Sequence, residues 1–359
     1  MRYPSNKSRP LLTFIAIGLL ASASLYAQTD RKVTQLAAGV YEIQHQRAGD
    51  GFASGNTTVI IGDRQVFVVD SCFLPSAARQ DIAQIRKWTD KPVAFVLNTH
   101  FHNDHNLGNR AYMDAFPAVT IIAHAETKKD MDRFGPGSES REEKTNASLQ
   151  QMLDSGKSQD GKPLSAEDRE QVKTALDRRR PGMDELKAVK FQSATLTFDH
   201  GFMIDLGNHE VEVKFLGRGN TAGDAVVYLP KDKIVVAGDL VVYPIPYIYD
   251  GYPTEWIQTL QNLSQLDADT IVPGHGPVMH DKTYVLLVRD LMKSAVEQMN
   301  AKLAKAGPAM FLTIDDVKAS IDLTSFQQRF TGNDKDLIAA YDDMTTNLVK
   351  VVFEEARLR

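Results

Sequence analysis

The chain of 359 residues contains a single cysteine, Cys72. No internal disulfide is available, so the fold rests on its apolar core. Cys72 follows the apolar run 66–69 and reads as a small buried residue at a strand end; nothing near it in sequence supports a metal-ligand role. Excess positive charge is also missing: 41 Lys and Arg stand against 46 Asp and Glu, with no basic arm. That balance gives no electrostatic basis for binding nucleic acid or an anionic membrane. Internal repeats and low-complexity tracts are absent, which excludes solenoid and linker architectures. No apolar run reaches the roughly 20 residues of a membrane span. The apolar stretch at 11–25 follows Arg2, Lys7 and Arg9 and leads into the small residues Ala21, Ser22, Ala23 and Ala27. This is the layout of a secretory signal peptide over residues 1–27, with an uncleaved anchor as the alternative. Cleavage near Gln28 and a periplasmic or secreted mature chain, free of the membrane, are expected. No twin-arginine pair precedes the run and no cysteine lies near the cleavage region, which points to export in the unfolded state without lipid attachment.

The pattern after that segment is mixed α/β. Short strands are expected at 40–44, 57–61 and 65–69, then a helix over 77–88 with Ile82, Ile85 and Trp88 on one face. Continuous apolar strands are expected at 93–97, buried on both faces, and at 118–123. From about 126 to 190 charged residues dominate. Leu149, Met152, Leu153, Val172 and Leu176 keep a helical spacing there, and Ser165 to Asp168 reads as a capping box. This is a helical insertion, either a lid or a solvated elaboration. Strands resume at 195–198, 211–216, 225–229 and 234–237, with a helix over 255–266, a last strand at 270–272, and helices over 282–305 and 334–357. Such an order argues for stacked sheets flanked by helices.

The chemistry concentrates in Thr99-His100-Phe101-His102-Asn103-Asp104-His105. In an extended stretch, residues two apart point the same way, so His100 and His102 can grip one ion. The following turn carries Asp104 and His105 elsewhere, toward a second. Three histidines and an aspartate at this density are hard to explain as packing, and imidazole with carboxylate suits zinc, iron or manganese. Three further strands run into glycine and polar residues: 216–224 (Leu-Gly-Arg-Gly-Asn-Thr-Ala-Gly-Asp), 236–239 ending in Asp239, and 272–276 carrying His275. If these strands are neighbours, their tips meet at one edge.

The ordered set His-x-His-x-Asp-His, a Gly-rich Thr-x-Gly-Asp loop, Gly-Asp and Gly-His-Gly resembles the metallo-β-lactamase superfamily over about residues 35–285, excluding the insertion. The resemblance implies an αββα sandwich with a one- or two-metal site. By that resemblance His100 and His102 belong to a first site, and Asp104, His105 and His275 to a second. Asp239 bridges them, and Asp70 supports from behind. It also divides the chain into a catalytic domain over 28–285 and a C-terminal helical extension over 286–359. One position departs from the pattern: Asn220 stands where a third histidine of the first site is usual. A neutral amide is a weaker zinc ligand, so a weak or empty first site is expected. Among the other histidines, His124 reads as packed or hydrogen-bonded, while His45, His200, His209 and His280 read as surface or loop positions, His209 with room to fold back toward the site.

The expected function is a zinc-dependent hydrolase acting on an ester, amide, thioester or related bond of a small molecule, with one or two ions. Zinc brings the pKa of bound water to about 7. Asp104 or Asp239 would orient that water or take its proton, and Asn220 would offer an amide N–H to a developing oxyanion. The run Tyr243, Pro244, Pro246, Tyr247, Tyr249, Tyr252 and Trp256 either lines a pocket or packs on the body. An iron-dependent oxidoreductase, like the persulfide dioxygenases of this fold, and a non-catalytic metal-binding relative remain open. Substrate and oligomeric state are not legible.

Overall fold

The computed structural model describes residues 31–45, 52–158, 161–249, 251–306 and 312–358. The expected signal segment lies outside them. One sheet holds seven strands in the order β1 (Arg31–Ala37), β2 (Val40–His45), β3 (Thr57–Ile61), β4 (Val66–Val69), β5 (Val93–Leu97), β6 (Thr120–His124) and β7 (Leu196–Phe198). Pairing is antiparallel from β1 to β4 and parallel from β4 to β7. The second sheet holds five strands: β8 (Gly201–Asp205), β9 (Glu210–Phe215), β10 (Ala225–Leu229), β11 (Ile234–Val242) and β12 (Thr270–His275), spatially in the order β12-β11-β10-β9-β8. Only β11 and β12 run parallel within it.

Helices α1 (Pro75–Trp88), α2 (Asn103–Asn106) and α3 (Asn109–Ala115) follow strands of the first sheet. The insertion forms α4 (Ala125–Phe134), α5 (Ser138–Ser155) and α6 (Ala166–Lys187). The second sheet carries α7 (Pro253–Gln265), α8 (Thr283–Ala306), α9 (Ile314–Lys318), α10 (Thr324–Thr331) and α11 (Lys335–Arg357). None of the described helices is long and apolar enough to cross a membrane.

The strand period of two sorts apolar residues into three layers. In β4, Phe67 and Val69 enter the layer between the sheets, while Val66 and Val68 face Ile82 and Ile85 of α1. In β11, Ile234 and Val236 face the other sheet, while Val235 and Ala237 join Trp256, Leu260 and Leu263 of α7. The result is the αββα sandwich. Helices α8 to α11 pack on its outer side: Leu291 and Met292 of α8 and Leu348 and Val352 of α11 share the α7 core. Each such side chain stabilises by about 1.5–3 kcal/mol when fully buried.

Several local expectations change. β5 is buried at Val93, Val96 and Leu97 but only partly at Ala94 and Phe95. β1 and β8, each at the end of a sheet, are not among the expected strands: polar residues fill much of β1, and β8 is short, with Phe202, Met203 and Ile204 in one unbroken apolar run. Two histidines assigned to surface or loop positions have buried side chains. His45, at the end of β2, contacts Asp81 and Cys72. His209, 6% exposed, bonds Asp232 and the Ala38 carbonyl, so it does not fold back onto the candidate site. His124 is buried as expected and stacks on Phe215.

Within the insertion the Ser165–Asp168 capping box forms reciprocally. Leu149, Met152 and Val172 make a small core of their own between α5 and α6. The far end of α6 anchors to the body through Met183 and Leu186 against Phe52, Leu74 and Leu107.

Candidate metal centre

Strands β11 and β12 and the segment after β5 bring the residues of the site to one edge of the sandwich. β5 ends at Leu97, and the next residues run through His100 and His102 into α2, whose single turn holds Asp104 and His105. Asp239 lies within β11, and His275 ends β12. These six side chains form two groups whose ligand atoms lie within metal-binding reach of one another: His100, His102 and Asp239, and Asp104, His105 and His275. In the first, His100 Nε2 is 3.0 Å from His102 Nδ1 and 3.6 Å from Asp239 Oδ2. In the second, Asp104 Oδ2 is 2.9 Å from His275 Nε2 and 3.4 Å from His105 Nε2, and the two imidazole nitrogens are 3.2 Å apart. Asp239 touches both groups, because its Oδ1 stands 3.3 Å from His105 Nε2 and 3.7 Å from His275 Nε2.

Packing behind these groups fixes their orientation. Asp70, buried and with a left-handed backbone, receives His105 Nδ1 at 2.8 Å on Oδ2, and Thr99 N on Oδ1 and Thr99 Oγ1 on Oδ2, both also at 2.8 Å. Asn56 Nδ2 donates to the carbonyls of Pro273 and Gly276 and so holds the loop of His275. Asn98 Nδ2 and Ser71 N both donate to the His105 carbonyl. Glycine is required at 274, where a Cβ would fall 1.9 Å from Asp239 Oδ1, and at 55, where it would fall 2.2 Å from the His105 ring. Neither Asn56 nor Gly55 could be singled out from sequence, since both lie far from the histidine motif and act only through the fold.

The electrostatics ask for a cation. Burial pushes the His105 ring down, but Asp104, Asp239 and Asp70 outweigh it and raise its pKa well above the ordinary range. Burial pushes the Asp104 carboxyl up, yet His105 and His275 hold it well below the usual carboxylate range. His100, buried and next to His105, is driven well down. Asp239 Oδ1 is buried without a hydrogen-bond partner, as is Asn220 Oδ1. Nitrogen and oxygen donors in this number, with one buried carboxylate oxygen of Asp239 left without a hydrogen bond, fit one or two divalent ions.

Asn220 reaches the same edge. Its Nδ2 is 3.4 Å from His102 Nδ1, beside the first group. Asp224 holds its loop in shape: Gly219 N and Thr221 N donate to Oδ2 at 3.0 and 2.8 Å, and Thr221 Oγ1 donates to Oδ1. Burial raises the Asp224 carboxyl to about 7 against the pull of the Thr221 bonds, with Asp239 adding to the rise.

A pocket of about 170 Å³ opens beside Asn220, lined by Phe101, Asp130, Phe134, Thr221, Ala222 and Tyr252. Asp130 and Phe134 belong to α4, so the start of the insertion borders the site while α5 and α6 form a separate arm. The aromatic run after Asp239 divides. Tyr247 meets His102 edge-on at 5.7 Å and is 44% exposed. Trp256 is core, and Tyr249 donates to Asp343 of α11.

Comparison with known proteins agrees with the fold. The model of the metallo-beta-lactamase superfamily matches residues 50–275. A linear primary-alkylsulfatase from a Pseudomonas species is 25% identical over 249 residues, 64% of this chain and 43% of that protein. The chain therefore spans less than half of that relative. A hydroxyacylglutathione hydrolase from Brucella anthropi is 26% identical over 264 residues, 73% of this chain and 76% of that protein. Among solved structures, a metallo-beta-lactamase from Pontibacter korlensis superposes with a TM-score of 0.52 at 18% identity, covering 73% of this chain and 99% of its own.

Proposed function

Because the chain belongs to the metallo-β-lactamase superfamily, we propose that it is a metal-dependent hydrolase, an exported zinc enzyme that cleaves an ester, amide, thioester or related bond of a small molecule. The observation that carries this reading is the pair of ligand groups joined by the two oxygens of Asp239. His100, His102 and Asp239 would hold one ion, and Asp104, His105 and His275 the other. Zinc bound there supplies a Lewis acid for the scissile group and lowers the pKa of water to about 7.

The remaining chemistry belongs to the chain. Asp104 is the more open of the two carboxylates, 21% exposed against 4% for Asp239, and is the one placed to orient a water entering from solvent. Asn220 Nδ2 is the neutral donor beside His102, suited to an oxyanion as charge develops. Tyr247, Tyr252 and Phe101 offer an apolar shelf for the rest of the substrate. Zinc in preference to iron rests on the relatives being named as hydrolases. Export rests on the segment 1–27 alone.

Turnover of a small panel tests the proposal: an aryl ester, a β-lactam, a glutathione thioester and a primary alkyl sulfate. At least one is expected to be hydrolysed, with activity lost to a chelator and restored by zinc. Hydrolysis restored by iron and not by zinc would overturn the choice of zinc and leave the hydrolase reading standing. No metal-dependent turnover of any member would contradict the proposal.

A further inference from the structure

Outside the metal centre, a second set of donors converges inside the first sheet. His45 ends β2, Thr57 begins β3, Cys72 follows β4 and Asp81 lies in α1. His45, Cys72 and Asp81 present three ligand atoms within metal-binding reach of one another, and Thr57 Oγ1 closes the figure. Cys72 Sγ is 3.0 Å from Asp81 Oδ2, 3.4 Å from His45 Nε2 and 3.6 Å from Thr57 Oγ1. His45 Nε2 is 3.1 Å from Asp81 Oδ2 and 3.3 Å from Thr57 Oγ1, and Thr57 Oγ1 is 3.1 Å from Asp81 Oδ2.

Six separations of this size describe a near-regular tetrahedron. Zinc with one sulfur at about 2.3 Å and three lighter donors at about 2.0 Å has edges of roughly 3.3–3.5 Å. We propose that His45, Cys72, Asp81 and Thr57 form a structural site for a thiophilic divalent ion of the zinc class, separate from the catalytic centre. Thiolate and carboxylate together balance the charge of the ion, and the Cys72 thiol gives its proton to solvent when the ion binds. The sulfur selects zinc over magnesium or calcium, which prefer all-oxygen shells.

The surroundings are those of a structural site with no open position. Cys72, Thr57 and Asp81 are fully buried and the His45 side chain is 4% exposed. Asp81 keeps its other oxygen, Oδ1, on Arg31 Nη1 of β1 at 2.7 Å, so one carboxylate ties the site to the edge strand. The site also reaches the catalytic edge through the chain. Residues 70 and 72 both take left-handed backbone: Asp70 turns its carboxylate to His105, and Cys72 turns its thiol to His45 and Asp81. An ion at Cys72 would pin the segment that aims Asp70.

Because the chain has one cysteine and the six residues of the catalytic centre offer only nitrogen and oxygen, a thiolate-to-cobalt charge-transfer band in the near ultraviolet reports this site alone. The full chain is produced in cobalt-supplemented medium, and its spectrum and cobalt content are measured. The band is expected in the wild type, retained in Asp104→Ala, and lost in Cys72→Ser with one fewer cobalt per chain. His45→Ala serves if Cys72→Ser does not fold. Cobalt-loaded wild type without the band overturns the site and leaves a hydrogen-bonded cluster in its place, whatever the outcome for hydrolysis.

Discussion

Two clusters in this molecule bring imidazole and carboxylate to separations of about 3–3.7 Å, and they are built for different ends. The six-residue centre lies where strand ends meet, with Asp104 and His275 each more than a fifth exposed and an aromatic rim above them. The cluster at Cys72 is closed beneath β1 and α1, with Arg31 over its carboxylate. Donor spacing is common to both clusters; an open face and a neighbouring pocket distinguish the one suited to chemistry. A third buried carboxylate completes the contrast. Glu42 of β2 has no cation against it strong enough to offset its burial, which pushes its carboxyl up to about 7 despite some help from Lys32 and Thr34. Asp81 is equally buried, yet His45 and Arg31 pull its carboxyl below the usual range.

The comparison breaks first at Asp104. Asp104→Ala should reduce hydrolysis by about 10³-fold or more, the scale of losing a principal electrostatic contributor. Steady-state kinetics with metal content measured in parallel checks this, and a loss below about tenfold would remove Asp104 from its role. Glu42 gives the next effect. A folded pKa of about 7 against 4.5 means its contribution to stability is complete below pH 4.5 and is lost as pH rises to about 7. At about 1.4 kcal/mol per pH unit the loss approaches about 3 kcal/mol. Urea unfolding at pH 4.5 and 7.5 should show that the decline in wild type is smaller in Glu42→Gln by about this amount; parallel declines would place the burden elsewhere. Asp70→Ala should weaken metal binding by about 10–100-fold, as expected for a carboxylate that orients a ligating histidine. Competition with a chromogenic chelator measures it, and unchanged affinity would detach Asp70 from the centre. The smallest effect is at the rim: Tyr247→Ala should raise KM for an aryl substrate several-fold, from about 0.5–1.5 kcal/mol of ring contact, with kcat nearly unchanged. A fall in kcat with constant KM would assign Tyr247 to the chemistry instead.

The sequence and the fold agree most where donors are contiguous. The run from His100 to His105 carries four donors in six residues, and the resemblance to the metallo-β-lactamase pattern joins Asp239 and His275 to them, so the edge cluster is legible without coordinates. Legibility fails where contact depends on tertiary pairing. His45, Cys72 and Asp81 lie 27 and 9 residues apart along the chain, on a strand, a loop and a helix, and no local pattern joins them. The division of the aromatic run is equally hidden, because whether Tyr249 turns to the rim or to α11 is decided by Asp343, nearly a hundred residues on. β1 is hidden because its polar residues give no apolar alternation, and β8 because Phe202, Met203 and Ile204 run together without one.

Asp239 is the joint of the whole centre, with one oxygen toward each group of ligands. The decisive measurement is metal content per chain and turnover in Asp239→Ala beside the wild type, in the same preparation. A fall of at least one ion per chain, with hydrolysis down by about 10³-fold, is the predicted result. Wild-type metal content in the variant, or full turnover on less metal, would contradict a centre built around this carboxylate.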